Sequence, residues 1–290
     1  MKIIESVQEM QAYALACKKQ GKSVGFVPTM GYLHEGHEAL MKQARKENDL
    51  VVISIFVNPL QFGANEDYDD YPRDERRDIQ VCRKNQMDVV FLPKVGDMYA
   101  SSQTIALHVE KRTNVLCGRT RVGHFNGVVT VLAKLFNITL PDYVYFGIKD
   151  AQQVAVVDSL VKDLNYPISI VPVPTKREAD GLAKSSRNVY LSNQEREEAA
   201  QLYQALQFGR TLVKDGQTKP AIIVSEVKNF IRQHTNGQIE YVELLNYPSL
   251  HTTEEIDQQV ILALAVTFTK ARLIDNIIFD ENGMIQNLIL

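Results

Sequence analysis

Residues 24–46 read VGFVPTMGYLHEGHEALMKQARK. Val24 to Val27 form a short apolar run that stops at Pro28, as a buried strand does. A glycine-containing loop follows, and His37 to Lys46 carry the spacing of a helix that His37 would open. Next comes Leu50–Val57, LVVISIFV, rich in β-branched residues and typical of a parallel strand covered on both faces. Asn58 and Pro59 end it. Strand, loop, helix and strand make one βαβ unit, and such units build parallel sheets.

The same alternation extends in both directions. Upstream, Ser6 and Glu9 have capping-box spacing, and Val7, Met10, Ala14 and Cys17 recur at helical spacing, which predicts a first helix closing near Gly21. Downstream, Asp67–Lys84 is highly charged and helical in its second half. Asp88–Leu92 reads as a strand stopped by Pro93, Gly127–Asn137 as a helix and Tyr143–Phe146 as a strand. Gln152–Leu164 then reads as a helix and Ile168–Val173 as a strand. The expected fold class is α/β, a Rossmann-like parallel sheet flanked by helices.

The pattern changes near Thr175. Glu195–Val213 and Ala221–Gln233 read as helices, and Tyr241–Leu245, Val260–Phe268 and Arg272–Ile278 as strands, the last two close enough for an antiparallel hairpin. The expected organisation is a first domain over 1–175 and a smaller C-terminal α+β domain over 176–290. No internal repeat or low-complexity stretch is evident.

Composition narrows the function classes. The chain has 290 residues, 45% of them hydrophobic and 23% charged, with a formal net charge of −3. That balance offers no electrostatic case for nucleic acid or an anionic membrane as partner. No apolar run reaches the length of a membrane span, and MKIIESVQEM lacks the apolar core of a signal peptide. Cys17, Cys82 and Cys117 are odd in number and far apart, which argues against a disulfide framework or a Cys-rich zinc site. A cytoplasmic, reduced protein is expected.

In open parallel sheets, ligands bind at the carboxyl ends of the strands. The loop there carries His34, Glu35, Gly36 and His37, the segment HEGH. Gly36 permits close approach of backbone to a ligand, and a helix start favours anions. Two histidines three apart can face one phosphate and neutralise charge that develops on it. A loop with two solvated histidines and a metal pair are the competing readings; no third metal ligand lies nearby in sequence. A second polar loop, Glu178–Leu191 or EADGLAKSSRNVYL, packs two cations and two hydroxyls into Lys184, Ser185, Ser186 and Arg187. Such a loop can close over a triphosphate. Alone it is a weak signal, since such a run is more often solvated surface.

Together these two segments resemble the HIGH and KMSKS signatures of the nucleotidyltransferase superfamily. PTMGYLHEGH, FVNPLQFG (Phe56 to Gly63), YPR (Tyr71 to Arg73), GHFNGVVTVLAKLFN (Gly123 to Asn137), FGIKDAQQ (Phe146 to Gln153) and READGLAKSSRN (Arg177 to Asn188) are collinear. They resemble the pantoate–β-alanine ligases. The resemblance implies a two-step reaction. Pantoate attacks the α-phosphorus of ATP to give pantoyl adenylate and pyrophosphate, and β-alanine then displaces AMP to give pantothenate. It also implies Mg²⁺ and a homodimer.

By that resemblance, Met30, Gly31, Tyr32, Leu33, His34, Glu35, Gly36 and His37 contact ATP. So do Gly147, Ile148, Lys149, Asp150, Lys176, Lys184, Ser185, Ser186 and Arg187. His34, His37, Lys149 and Arg187 are the candidate catalytic residues, and Gln61 and Gln153 the candidate pantoate and β-alanine ligands. Tyr71 and Arg73 are expected to shape the pocket wall, Asn58 to reach a substrate, and His124 with Phe125 either to face the pocket or to pack. Asp78 is the candidate Mg²⁺ neighbour, although Arg76 and Arg77 interrupt its acidic cluster DERRD. Ile148, Lys176 and Lys184 depart from the family's usual residues at their positions. Two other readings stand beside this one: a HIGH-type enzyme that transfers a nucleotide to a phosphate ester, and a nucleotide-sensing protein without catalysis. The paired glutamines argue against the first, and intact HEGH and KSSR against the second.

Overall fold

Apolar runs too uniform to face water on either side pair in parallel at the centre of the chain. A computed structural model describes residues 1–63, 66–99 and 103–285; the last five residues of the second expected domain lie outside the described residues. By internal contacts the chain divides into two compact units. The first is Met1–Glu110, Arg121–Ile148 and Val156–Pro174, and the second is Lys111–Thr120, Lys149–Ala155 and Thr175–Leu290. Two short segments from before Thr175 thus belong with the C-terminal part of the chain.

The first unit holds a parallel sheet of six strands. They are β1 (Lys2–Ile4), β2 (Val24–Thr29), β3 (Leu50–Ile55), β4 (Val89–Phe91), β5 (Tyr143–Gly147) and β6 (Ser169–Val173). The order across the sheet is β1-β4-β3-β2-β5-β6. β2 is flanked by β3 and β5, with Phe26 opposite both Val52 and Val144. The helices before Thr175 are α1 (Val7–Lys19), α2 (Glu35–Glu47), α3 (Glu75–Lys84), α4 (Val95–Met98), α5 (Leu116–Thr120), α6 (His124–Thr139) and α7 (Ala151–Asp163). The unit boundary passes through α7, and α5 falls in the second unit. α2 lies on β2, β3 and β5 and buries Leu40, Met41 and Ala44 against Val27, Val51, Ile53 and Tyr145. Burying each such aliphatic side chain contributes roughly 1.5–3 kcal/mol.

Among the differences from the sequence reading, three have a clear physical reason. β1 was not expected: three residues show no period, and only pairing with β4 makes them a strand. α2 begins at Glu35, two residues before His37, because the helix cap is a histidine and not one of the usual cap residues. α6 begins at His124, three residues before Gly127, which reads as a breaker. Gly127 lies inside the helix because a Cβ there would sit 2.2 Å from the Leu60 carbonyl oxygen. The glycine is required by the close approach of α6 to the 3₁₀ turn Pro59–Gln61.

The second unit contains α8 (Asn193–Lys214), α9 (Pro220–His234) and an antiparallel sheet β7-β8-β9 built from Gln238–Asn246, Val260–Thr267 and Arg272–Phe279. Its core joins Leu206, Ile223, Val227, Leu262 and Phe279. Ser192 caps α8, and Glu195 closes a capping box: its Oε2 accepts from the Ser192 N–H at 2.9 Å and its Oε1 from the Thr269 N–H at 2.9 Å. Those backbone donors, Ser192 first, hold the Glu195 carboxyl down to about 2. A lowered folded-state value means that the contact stabilises above the unfolded carboxylate value of about 4.3 and is lost as pH falls toward 2. Glu195→Gln is therefore expected to lower the melting temperature at pH 7, with the gap to the parent chain shrinking below pH 4. Ser192→Ala is expected to cost about 1 kcal/mol in urea titrations, with the slope unchanged.

Candidate active site

The chain leaves β2 toward β3 and β4 on one side, while β5 and β6 pair on the other. The carboxyl ends of β2 and β5 therefore mark the topological switch point, where open α/β sheets bind ligands. Residues after Thr29 and after Gly147 start there.

The loop after β2 turns through two left-handed residues, Gly31 at φ +85° and Tyr32 at φ +50°. It then enters α2 through a reciprocal cap made of two imidazoles. His34 Nδ1 accepts from the Gly36 N–H at 3.1 Å, and His37 Nδ1 accepts from the His34 N–H at 3.2 Å. The ring centroids are 4.1 Å apart. A neutral imidazole carries one ring proton, so when Nδ1 accepts, the proton is on Nε2. Both rings therefore present an Nε2–H donor. His37 is the third residue of α2 and His34 the cap, so both lie where the helix dipole is positive.

Asp78 holds the turn from α3. It is 1% exposed, and its two oxygens accept from the Tyr32 and Leu33 N–H groups, each at 2.7 Å. Burial pushes its carboxyl above the usual range, and the two amides with nearby Arg77 pull the other way. Arg77 stacks on the Tyr32 ring at 5.1 Å. Among the described residues no group of three or more His, Cys, Asp or Glu is placed to hold a metal ion. A cavity of about 330 Å³ is lined by Met30, Gly31, Tyr32, Arg73 and Asp78, among others.

Gln61 ends the 3₁₀ turn after β3 and is almost buried. Asn58, expected to reach a substrate, is only 1% exposed and acts on Gln61 instead. Its Oδ1 accepts from the Leu60 N–H at 3.3 Å, and its Nδ2 donates to the Gly127 carbonyl at 3.1 Å. Two backbone groups thus fix which end of the Asn58 amide is which. Nδ2 also donates to Gln61 Oε1 at 3.1 Å, and Tyr99 donates its hydroxyl proton to Oδ1 at 2.8 Å. Gln61 is left with Nε2–H₂ directed at the Met30 sulfur, 3.2 Å away.

His124 serves the same residue. Its Nε2 faces the guanidinium of Arg121 at 3.1 Å, which can only donate, so its Nδ1–H donates to the Gln61 carbonyl at 2.8 Å. Arg121 is paired with Glu66 and overcomes the opposing effect of burial to hold that carboxyl low. Arg73 donates to the carbonyls of Tyr68, Asp69 and Tyr71 and so ties that turn together.

In the second unit, Lys149 and Asp150 lie in a 3₁₀ turn, with the Lys149 carbonyl accepting from Asn276 Nδ2 at 2.8 Å. The two adjacent glutamines divide their work. Gln152 is buried and donates to the carbonyls of Arg112 and Val115, whereas Gln153 is half-buried. Lys176 to Lys184 form a short bridged turn: the Lys184 N–H donates to the Lys176 carbonyl at 2.9 Å. Lys184 Nζ lies 2.7 Å from Glu178. Ser185 caps the next 3₁₀ turn, accepting from the Arg187 N–H at 3.3 Å, and Ser186 opens that turn.

The sequence reading missed the groups that hold these loops. Arg177 makes two hydrogen bonds to Asp275, at 2.6 and 2.9 Å, and stacks 3.8 Å from the Tyr203 ring. Tyr99, Arg121 and Asp275 come from distant parts of the chain, and no local spacing marks them. Gln61 Oε1 and the two histidine Nδ1 atoms have partners only two or three residues away, which the sequence reading did not assign.

The pantoate-beta-alanine ligase family matches residues 2–278. A pantothenate synthetase of Geobacillus thermodenitrificans is 56% identical over 280 residues, 97% of each chain. One of Bacillus cereus is 57% identical over 277 residues, covering 96% of this chain and 98% of the relative. The crystal structure of pantothenate synthetase from Thermus thermophilus superposes with a TM-score of 0.90 at 41% identity, covering 96% and 99% of the two chains. That of the Francisella tularensis pantoate-beta-alanine ligase, complexed with beta-gamma ATP and beta-alanine, gives 0.79 at 34% identity, covering 97% and 98%. With agreement over nearly the whole length in sequence and in fold, this chain belongs to the pantoate–β-alanine ligase family.

Proposed function

We propose that the chain carries out its family's reaction, the ATP-dependent condensation of pantoate with β-alanine to pantothenate, with His34 and His37 holding the phosphates of ATP. The observation that carries this assignment is the reciprocal imidazole cap at the switch point, which puts both Nδ1 atoms on backbone N–H groups at a helix N-terminus and so leaves the ring protons on Nε2. A carboxylate has a poor leaving group, and adenylation supplies a good one. The attacking carboxylate is already ionised, so no base is needed in the first step. What the step needs is alignment of carboxylate oxygen, α-phosphorus and departing pyrophosphate, and hydrogen bonds to the charge on the phosphate oxygens. Neutral Nε2–H donors meet that need without a net proton transfer. In the second step the free amine of β-alanine adds to the acyl carbon, and the acyl–oxygen bond breaks to release AMP.

Gln61 enters this scheme as a donor only. Its Oε1 is taken by Asn58, so its Nε2–H₂ would bind the carboxylate or hydroxyl oxygens of pantoate and, for β-alanine, the carboxylate and not the amine. Gln153, half-buried in the first turn of α7, is the second proposed pantoate ligand. Lys149, Asp150, Gly147, Ile148, Lys176, Lys184, Ser185, Ser186 and Arg187 are proposed nucleotide contacts. Glu178 already offsets the charge of Lys184, so a phosphate that takes Lys184 must compete with that carboxylate. The proposed division of labour puts nucleotide and pantoate binding in 1–175 and the KSSR loop in 176–290. Mg²⁺ is proposed to enter with the nucleotide substrate, held mainly by its phosphates. A cytoplasmic homodimer completes the reading; the three cysteines are buried and in no disulfide.

Purified protein given Mg·ATP and β-alanine is expected to release AMP and pyrophosphate only when pantoate is also present. ADP as product, or turnover without pantoate, would contradict the proposal. His37→Ala is expected to slow single-turnover pyrophosphate release by roughly 10²–10³-fold, the usual effect of losing one preorganised donor. The protein should stay folded, with a loss of about 1 kcal/mol for the cap. Near-normal turnover would remove His37 from the mechanism. Gln61→Glu keeps an acceptor for Asn58 but turns a carboxylate oxygen toward pantoate. Its expected effect is a rise in the KM for pantoate of tenfold or more with the KM for ATP within twofold; an unchanged pantoate KM would sink the donor assignment.

A further inference from the structure

We propose that Asp78 is a positioning residue for adenylation: its carboxylate holds the left-handed turn at Gly31–Leu33 and thereby sets where the His34 and His37 donors point. The proposal rests on the reading that residues 30–37 bind ATP.

Both Asp78 oxygens are engaged by consecutive backbone amides, those of Tyr32 and Leu33. Consecutive N–H groups converging on one anion form a nest, and the anion here is supplied by the protein itself. Within the turn itself the Gly31 N–H donates to Thr29 Oγ1 at 3.2 Å, and Asp78 supplies the two contacts that follow it. Tyr32 takes a positive φ, which non-glycine residues adopt at an energetic cost, and part of the wall at residues 30–32 lines a cavity and not packed side chains. On the other side, Leu33 is fully buried in the core beside Leu40 and Met41. The Leu33 side chain and the Asp78 carboxylate therefore hold the turn from opposite sides. The next residue is His34, whose N–H reaches His37. Any shift of the turn moves the cap and with it both imidazoles.

Gly31 closes the argument from the opposite side. A Cβ there would stand 2.9 Å from Asp78 Oδ2 and 2.9 Å from the Ile55 side chain. Position 31 must be glycine both for its φ of +85° and for the carboxylate to come this close. Asp78 is also in the first turn of α3, where the helix dipole favours an anion. A carboxylate with one backbone amide on each oxygen and 1% exposure is anchored inside the protein, a role distinct from ligating Mg²⁺.

The test measures adenylation by pyrophosphate release for Asp78→Asn, Gly31→Ala and the double variant, with ATP, pantoate and MgCl₂ each varied. An amide at position 78 puts an NH₂ against one of the two N–H groups. The expected result is a fall of tenfold or more in kcat/KM for ATP, with the KM for pantoate within twofold and the midpoint of the Mg²⁺ titration unchanged. Gly31→Ala is expected to reproduce that split, and the double variant to be no worse than the poorer single one, because both act on the same turn. A Mg²⁺ midpoint shifted upward, or recovery with Mn²⁺, would overturn the proposal in favour of a metal ligand. A lower melting temperature with unchanged kinetic constants would overturn it in favour of stability alone. If D78N does not fold, Gly31→Ala and Asp78→Glu decide: parent-like ATP kinetics in both overturn it. The underlying reading fails separately, if His34→Ala and His37→Ala leave ATP kinetics untouched. Loss in those variants with none in D78N removes the positioning role only.

Discussion

Helix α2 starts with imidazole nitrogens where most helices place a hydroxyl or a carboxylate. That choice couples local structure to chemistry. The cap works only while both Nδ1 atoms carry a lone pair, because each accepts a backbone N–H. The same requirement places the ring protons on Nε2. An aspartate cap would satisfy the backbone equally well but carries no proton to donate. The tautomers are thus set by the fold itself, and the sheet beneath, with Leu40 and Met41 packed on β2 and β3, keeps the helix start in register with the strand end.

Backbone groups act as the reference throughout the first unit. An amide side chain can turn over at little cost, so its polarity is meaningful only when something unambiguous reads it. For Asn58 the readers are the Leu60 N–H and the Gly127 carbonyl. Gly127 is also the residue whose missing Cβ lets α6 approach the Pro59–Gln61 turn. One glycine therefore provides both the space and the acceptor that orient Gln61. His124, three residues before it, holds the Gln61 carbonyl with a proton whose location Arg121 dictates. The donor end of Gln61 is turned to the Met30 sulfur, away from the Asn58 amide that holds its oxygen. The loop of the second unit is organised in the same way, with Arg177 on Asp275 at its base and Lys184 on Glu178 within it.

Much of this was legible in the sequence. LVVISIFV can only be a strand buried on both faces, and the alternation of such runs with amphipathic helices implies a parallel sheet. The spacing of HEGH, its place after a strand, and the collinear FVNPLQFG and FGIKDAQQ segments led to the family. Ser6 announced its helix through ordinary cap chemistry. The start of α2 was misread because histidine is a rare cap, and the start of α6 because a glycine inside a helix looks like an end until its neighbour is known.

The sequence by itself determined which chemical groups are present and which strand ends carry them, since periodicity, β-branching and turn residues act over a few neighbours. Only the tertiary structure decided what each group does. Asp78 is 45 residues from Leu33, Tyr99 is 41 from Asn58, and Arg177 is 98 from Asp275. A carboxylate that reads as a metal ligand beside other acids becomes a backbone anchor when two amides meet it. A glutamine that reads as donor or acceptor becomes a donor when its oxygen is claimed. Hydrogen bonds act over about 3 Å, and sequence distance does not report which groups the folded chain brings that close.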